Sequence, residues 1–324
     1  MPISFCPWSA GLGARIVMRQ SLHAPSARWW ADTARSRFMS KVWFITGASS
    51  GFGRALAEAV LAAGDSAVLA ARRGDALDAI VGRHGDRALA VSMDVTNADA
   101  RQRAVRAALE RFGRVDVLAN IAGRGSCGAA EEFSGEQLRE QLELNFIAPV
   151  ELTREVLPHM RARGAGHILN LTSIAGLAPI PACALYCAAK FALEGWSETL
   201  HQEVGPLGIR VTIVEPGGFR TEFNGAAIMR PDQTIDAYRP TVEPILQFIE
   251  SESGRQPGDP DKAARLMIEA VDSDTPPLRL MLGADAYQLW EKTAAARDTD
   301  ISAWREKGEA TAYDDAQLTP IGGA

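Results

Sequence analysis

The sequence predicts an α/β fold in which a doubly wound parallel sheet lies between two layers of helices. Short apolar runs recur along the chain, segments with helical spacing separate them, and a glycine-rich turn follows the first run. Strands that are buried on both faces read as such unbroken apolar runs. Right-handed crossovers then place the helices on both faces of the sheet. We therefore expect a three-layer α/β/α sandwich in a single domain.

The predicted elements alternate between strand and helix over most of the chain. The expected strands are residues 41–46, 67–71, 88–93, 115–119, 166–172, 209–215 and 278–282. The expected helices are residues 54–63, 99–112, 136–163 and 186–204, a helix that Asp259 caps with Pro260 in its first position, and a last helical stretch from residue 284. Pro149 and Pro158 are expected to interrupt the longest helix locally.

The two ends of the chain differ from this pattern. Residues 1–38 contain five arginines and one acid, Asp32, without an apolar run of the length that a secretory signal needs. They read either as an arginine-rich transit peptide or as an extension before a true start at Met39, and we favour the second. We expect the folded domain at 39–310, a turn-rich insertion at 217–252 and a loose tail at 311–324.

Composition excludes several classes of partner. The chain has 324 residues, 23% of them charged, and a net charge of -6, which gives no electrostatic footprint for nucleic acid or anionic lipid. The sequence has no run of 18 or more apolar residues, which is the length that a membrane-spanning helix needs. The four cysteines, Cys6, Cys127, Cys183 and Cys187, have no further ligands at metal-binding spacing, so we expect no metal and a reducing, cytoplasmic location.

A glycine-rich turn follows the first predicted strand and opens a helix. Glycines allow a tight turn and a close backbone approach to a pyrophosphate, and the helix N-terminus offers free N–H groups to that anion. The same spacing also occurs in ordinary strand-to-helix loops. The residues that we predict to bind a dinucleotide here are Gly47, Ser49, Ser50, Gly51, Phe52 and Gly53.

The next strand ends at a pair of arginines, Arg72 and Arg73. A site that prefers NAD places an acid near this position to hold the ribose 2′-hydroxyl, whereas an arginine accommodates a 2′-phosphate. The alternative is a solvated surface pair. The position at the end of the second strand favours NADP(H) over NAD(H).

Tyr186 and Lys190 form a second signal, because residues four apart share one face of a helix. A phenol has a pKa near 10, and a nearby ammonium favours the phenolate and lowers that pKa. General acid/base catalysis requires a proton donor that is tuned in this way. With Ser173 thirteen residues upstream and the glycine turn at the start, the set resembles the short-chain dehydrogenase/reductase family over residues 41–221.

The resemblance implies a Rossmann-like oxidoreductase that moves a hydride between a nicotinamide and a small-molecule carbonyl or secondary alcohol. Tyr186 would be the general acid/base and Ser173 would hydrogen-bond the substrate oxygen. Lys190 would hold the nicotinamide ribose, and Asn145 would hold its helix open for a water that links Lys190 to solvent. Further cofactor contacts are implied at Asp94, Val95, Asn120, Ala122, Gly123, Pro216, Gly217 and Thr221. Ile121 and Phe52 depart from the family pattern of asparagine and isoleucine.

The predicted substrate pocket is apolar. Residues 174–185 carry no charge, and the segment 219–238 supplies Phe219, Phe223, Ile228 and Met229 beside Arg220, Glu222 and Arg230. Such a lining suits an apolar ketone or aldehyde better than a small acid. These residues could equally pack a lid, with Gly225 near its hinge, onto the body of the protein.

Two other functions stay open at this stage. The fold could serve as a non-catalytic NADP-binding sensor or scaffold, although such a role needs only the phosphate site. It could also carry epimerase or dehydratase chemistry on a nucleotide sugar, but enzymes of that kind usually have a longer C-terminal substrate domain. The helices at 136–163 and 186–204 resemble the family's dimer contacts and predict a homo-oligomer, either a dimer or a tetramer. Phe191, Leu193 and Trp196 would supply apolar contacts there or face the sheet.

Overall fold

The computed structural model describes residues 40–225 and 228–317. The predicted extension at 1–38, with Cys6, and the end of the predicted tail from residue 318 lie outside these ranges. Residues 311–317 follow the last helix as exposed turns.

Seven parallel strands form one sheet in the order β3-β2-β1-β4-β5-β6-β7. The strand order reverses between β1 and β4, and parallel sheets of this kind bind ligands outside the carboxyl ends of the strands at such a reversal. The strands are β1 (Val42–Thr46), β2 (Ser66–Ala71), β3 (Ala88–Ser92), β4 (Val117–Asn120), β5 (Gly166–Leu171), β6 (Ile209–Pro216) and β7 (Arg279–Leu282).

Helices cover both faces of this sheet, as the sequence predicts. The α-helices of the described residues are α1 (Gly51–Ala62), α2 (Asp75–His84), α3 (Ala98–Phe112), α4 (Gly135–Leu142), α5 (Ala148–Arg163), α6 (Ala184–Val204), α7 (Arg239–Glu252), α8 (Pro260–Asp272), α9 (Ala284–Ala303) and α10 (Arg305–Glu309). Alternate residues of β1 divide the core: Trp43 and Ile45 pack toward α1, α2 and α8, whereas Phe44 packs toward α3, α5 and α6. This alternation follows from the two-residue period of a strand.

Two helices of the structure were not predicted from the sequence. Helix α2 buries only Leu77 and Ile80, so its apolar periodicity is weak. Helix α7 contains prolines that favoured an irregular segment. Its first proline lies in the first turn, where the missing N–H costs nothing.

The predicted interruption of the long helix at prolines was wrong. Helix α5 continues through Pro158, and Pro149 lies in its first turn, where it is tolerated. The irregularity is instead a π-helical turn, Glu143–Ile147, between α4 and α5. Asn145 lies in this turn, and π-turns are frequent at functional sites.

The predicted start of α8 agrees with the structure. The side chain of Asp259 accepts hydrogen bonds from the amides of Asp261 and Lys262, and Pro260 is the first helical residue. Within the described ranges, no helix combines the length and the apolar character needed to cross a membrane.

Candidate active site

The glycine turn after β1 is a close-packed backbone loop. Gly47 has a φ of +66°, and a Cβ there would lie 3.0 Å from the Cα of Ala122. A Cβ on Gly53 would lie 2.3 Å from the carbonyl oxygen of Gly47. A side chain at Gly53 would therefore clash with the end of β1, and one at Gly47 would be strained by its positive φ and by the loop after β4. The loop leaves its outer backbone free to approach a ligand.

The N-terminus of α1 suits an anion. Its N-cap residue, Ser50, makes no side-chain capping hydrogen bond, and the first turn contains no acidic residue. The N–H groups at the start of a helix need an acceptor and carry the positive end of the helix dipole. Ser49, Ser50, Gly51 and Phe52 are all partly exposed at this end. These residues fit the pyrophosphate of a dinucleotide.

Arg72 and Asp94 come close together beyond the ends of β2 and β3. The Asp94 carboxylate accepts hydrogen bonds from the amide and the hydroxyl of Thr96, at 3.0 and 2.8 Å. Partial burial would raise the pKa of Asp94, but the Thr96 bonds and the charge of Arg72 together hold it below its ordinary value. Arg72 and Arg73 are exposed. Val95 is buried, and its carbonyl accepts from Arg101 at 2.8 Å.

Thr46 ties the end of β1 to the segment after β4. Its hydroxyl accepts hydrogen bonds from the amides of Ile121 and Ala122, at 2.9 and 3.0 Å. The side chain of Asn120 points away from the cleft. Its amide donates a hydrogen bond to the Oδ1 of Asn170, at 2.9 Å, inside the buried layer. Only the backbone of Asn120 is therefore available to a cofactor. Ile121 is buried and fills the position where the family pattern has a second asparagine.

The amide side chain of Asn145 lies at the centre of the π-turn. Its Nδ2 donates to the carbonyls of Arg124 and Gln141, at 3.0 and 3.2 Å, and its Oδ1 accepts from the Arg124 amide at 3.2 Å. A Cβ on Gly123 would lie 2.7 Å from Oδ1 and 3.7 Å from the Nζ of Lys190. Asn145 thus joins the wide turn to the loop after β4, beside Lys190.

Three of the predicted catalytic side chains meet at the carboxyl end of β5. Ser173 follows this strand, and its hydroxyl interacts with the phenol of Tyr186. Lys190 lies one turn after Tyr186 on α6, and its Nζ is 5.7 Å from the centre of the phenol ring. The Ser173 hydroxyl also accepts from the Ala175 amide at 3.1 Å, which fixes its orientation.

The pKa values of this group differ from the expectation that Lys190 lowers the pKa of Tyr186. Burial raises the pKa of Tyr186 above its ordinary value, and the Ser173 hydroxyl opposes this increase only in part. Burial also lowers the pKa of Lys190 to about 8, while the charge of Glu194 opposes the decrease. The Lys190 amine donates to the carbonyl of Leu171 at 2.8 Å rather than to the phenol. Desolvation therefore outweighs the Tyr–Lys attraction at this site.

The segment after β6 is held by a residue that sequence reasoning missed. Asp285, in the first turn of α9, accepts a hydrogen bond from the amide of Gly218 at 2.6 Å. A Cβ on Gly217 would lie 2.5 Å from both oxygens of this carboxylate. A Cβ on Gly51 would lie 3.4 Å from the Cβ of Thr221, so this segment also contacts the glycine turn. An acid two residues after a glycine at the end of the last strand was the available signal.

The apolar segment predicted to line the substrate pocket divides in two. Phe219 packs at a tilt against Phe52 rather than against Tyr186, with ring centres 4.9 Å apart, and supports the glycine turn. Phe223 lies against Tyr186, with ring centres 5.7 Å apart. Ile228 packs into the same apolar cluster as Tyr186.

A mainly apolar cavity of about 450 Å³ opens beside this cluster. Its lining comes from the loop after β4, the loop after Ser173, the start of α6, and α7 with the turn before it. The lining residues are Ala129, Ala130, Pro179, Ile180, Pro181, Ala182, Ala184, Cys187, Tyr238, Thr241 and Val242. Ala182 has a φ of +62°, a left-handed conformation that non-glycine residues rarely adopt and that clusters at functional sites.

Residues 41–230 match the family model of the short chain dehydrogenases, which is more than half of the chain. This chain is a short-chain dehydrogenase/reductase. It is 36% identical over 275 residues to Oxidoreductase BOA17 of Botryotinia fuckeliana, covering 85% of this chain and 100% of that protein. The predicted family and fold class are thereby confirmed.

Solved structures give the same result. A short-chain dehydrogenase from Streptomyces avermitilis is 43% identical, with a TM-score of 0.80, over 85% of this chain and 100% of that one. A family member from Burkholderia phymatum in complex with NAD is 27% identical, with a TM-score of 0.68, over 88% of this chain and 99% of that one. This short-chain dehydrogenase/reductase is therefore an oxidoreductase enzyme whose known structural relatives include one that binds NAD.

Proposed function

We propose that this enzyme uses NADP(H) to interconvert an apolar carbonyl compound and its secondary alcohol, with Tyr186 as the general acid/base. The observation that carries the proposal is the meeting of Ser173, Tyr186 and Lys190 at the end of β5. This group lies at the carboxyl ends of the strands, as do the glycine turn after β1 and the segment after β6. When bound, the dinucleotide supplies or accepts the hydride.

The proton chemistry follows from the positions of these side chains. Ser173 would donate a hydrogen bond to the substrate oxygen and stabilise the charge that develops there. Tyr186 would transfer its proton to the same oxygen. Because burial raises the pKa of Tyr186, the phenol keeps its proton at neutral pH, which favours its use as an acid in carbonyl reduction. Lys190 would hold the nicotinamide ribose, and Asn145 would help to position a water that links Lys190 to solvent.

The preference for NADP(H) is supported by charge at the end of β2. Arg72 and Arg73 are exposed there, and Arg72 acts electrostatically on Asp94. A guanidinium matches the geometry and charge of a 2′-phosphate. The NAD complex of the Burkholderia relative shows that the fold also accepts the cofactor without this phosphate.

The substrate class is supported by the surroundings of Tyr186. Phe223 covers one side of the phenol ring, and Ile228 and Cys187 continue the apolar surface. Pockets of this type bind ligands mainly through apolar contact, with a few polar groups for orientation. Ketones and aldehydes with aliphatic or aromatic substituents are therefore the proposed substrates.

The test is oxidation of NADPH and of NADH by the purified protein with a panel of ketones and aldehydes, followed by loss of the reduced nicotinamide absorbance. Tyr186→Phe is the comparison variant. Turnover with NADPH, weaker with NADH and lost in the variant, is the expected result. Tight NADPH binding without turnover on any carbonyl would contradict the proposal and favour the sensor function.

We also propose a homo-oligomer, a dimer or tetramer, formed through α4, α5 and α6 in the cytoplasm. Leu138 and Ile147 are 41% and 39% exposed along α4 and the π-turn. Leu193 is buried and therefore faces the core, whereas Phe191 and Trp196 are only partly buried. Light scattering of the native protein and of Leu138→Glu is the test, and a monomeric native protein would refute this proposal.

A further inference from the structure

Three glutamates surround one arginine behind Lys190. Arg279 on β7 pairs with Glu194 at 2.8 Å, and with Glu198 and Glu215. Glu194 and Glu198 lie one and two turns after Lys190 on α6, and Glu215 lies on β6. The side chains of Glu194 and Glu215 are 5% and 0% exposed. One guanidinium thus faces an excess of carboxyl groups, two of them buried.

Glu194 and Glu215 are buried beside the same arginine, and the burial of each carboxyl group raises its pKa. Burial and the neighbouring Glu194 together raise the pKa of Glu215 to about 7, against the opposing effect of Arg279. Burial also raises the pKa of Glu194, which the Thr172 hydroxyl and Arg279 oppose. Neighbouring carboxylates in a desolvated site rarely ionise together. Glu215 is the more enclosed of the two, so a proton is favoured there, which leaves the negative charge on Glu194 beside Arg279.

Glu194 contacts both segments that carry the catalytic side chains. It lies on the same face of α6 as Lys190, one turn later. A Cβ on Gly176 would lie 3.0 Å from its Cγ and 3.2 Å from its Oε1, so its side chain packs under the turn that begins at Ser173. Its Oε1 has no hydrogen-bond partner among the residues that the structure describes. No step of the proposed reaction uses this buried acid.

We infer that Glu194, oriented by Arg279, is a positioning residue that keeps the Lys190 amine protonated and seated beside Tyr186. A carboxylate within the same desolvated region favours the ammonium form of lysine. Because Lys190 is buried, it would otherwise release its proton close to neutral pH and lose its charge beside the phenol. The groups that face Lys190 are Tyr186 and Glu194 on α6, the Leu171 carbonyl on β5, and Asn145 in the π-turn. The inference rests on the proposed function, since it concerns the same site.

The first test measures the proton on Lys190 without turnover. The chain contains five lysines, Lys41, Lys190, Lys262, Lys292 and Lys307, so NMR of ¹³C-labelled lysine side chains can follow each titration, with Lys190→Met to assign the signal. In Glu194→Gln we expect Lys190 to titrate lower than in the native protein by about half a pH unit or more. Glu198→Gln removes a carboxyl from the same arginine, and there we expect no shift. An unshifted Lys190 in Glu194→Gln, or an equal shift in both variants, would overturn the inference.

The second test is kinetic. In Glu194→Gln the alkaline fall of kcat should move to lower pH by the same amount, and Glu194→Asp, which keeps the charge, should restore much of it. A purely structural role would reduce kcat equally at all pH values. If the native enzyme turns over no carbonyl, the proposed function fails while the lysine titration still decides the role of Glu194.

If Glu194→Gln folds too poorly for the lysine titration, Arg279→Gln replaces it as the test variant. Without its counter-ion, Glu194 should take up a proton, and Lys190 should again titrate lower than in the native protein. A Lys190 titration unchanged in this variant would overturn the inference in the same way.

Discussion

The amine of Lys190 donates a 2.8 Å hydrogen bond to the main-chain carbonyl of Leu171, two residues before Ser173. The buried amine therefore anchors α6 to the end of β5, next to the residue that would hold the substrate oxygen. This contact orients Lys190 but does not repay the loss of its hydration, since burial lowers its pKa to about 8 from 10.5. The proposed role of Lys190 therefore comes at a cost in stability.

Lys190→Met should be more stable than the native protein below pH 8 and inactive. Between pH 8 and 10.5 the unfolded native chain binds more protons at this residue than the folded one, so native stability rises with pH across that window. The variant lacks this dependence. The gain at pH 7 should reach at most about 3 kcal/mol, less the lost hydrogen bond to Leu171. Urea unfolding at several pH values measures it, with exposed Lys292→Met as the control. A variant that is less stable at pH 7 would contradict the burial argument.

Arg72→Glu should reverse the cofactor preference. The substitution replaces the proposed 2′-phosphate contact with a like charge and offers an acceptor to a 2′-hydroxyl. We expect the ratio of kcat/KM for NADPH to that for NADH to fall by about 10- to 100-fold, which corresponds to about 1.4 to 2.8 kcal/mol. Exposed Arg103→Glu, on α3, controls for net charge. An unchanged ratio in Arg72→Glu would remove the support for NADP(H).

Gly53→Ala should abolish cofactor binding or folding. The new methyl would meet the Gly47 carbonyl oxygen at 2.3 Å, and both atoms belong to closely packed backbone. Gly82→Ala on α2 is the matched control, because a Cβ there meets nothing within 4 Å. That variant should be more stable by about 0.5 to 1 kcal/mol, as expected for alanine in a helix. Thermal unfolding with and without NADPH distinguishes a loss of cofactor binding from a loss of folding. Normal NADPH binding by Gly53→Ala would refute the close-packing argument.

Phe223→Ala should weaken the binding of apolar substrates. The ring packs on Tyr186, and loss of such an aromatic contact costs about 1 to 2 kcal/mol, or roughly a tenfold rise in KM. Small ketones that do not reach the ring should be affected much less. Phe219→Ala differs in its expected effect, because Phe219 supports Phe52 and should change the KM for NADPH. Steady-state kinetics with a short and a long ketone checks both, and equal effects of Phe223→Ala on the two would argue against this substrate contact.

The sequence predicted those parts of the fold and of the candidate site that depend on a few consecutive residues. These parts are the glycine turn, the Tyr186–Lys190 spacing and the Asp259 cap. Asp285 and Arg279 could not be found in this way, because their partners lie far back in the chain, on and after β6 and on α6. The raised pKa of Tyr186 could not be predicted from the sequence either, because it depends on how deeply the phenol is buried in the folded protein. Helix α7 was missed because its prolines resemble a turn until their positions in the helix are known.

The bond between Asp285 and Gly218 has a consequence for biosynthesis. During translation the glycine turn, Tyr186 and the loop after β6 all leave the ribosome before β7 and α9 have been synthesised. Until then, the loop that is proposed to grip the nicotinamide has no carboxylate to hold it, and β6 is an open edge of the sheet. A nascent or truncated chain that ends before residue 279 could therefore hold the phosphates but not align the ring. Full activity should appear only when the last segment of the protein has been released and docked.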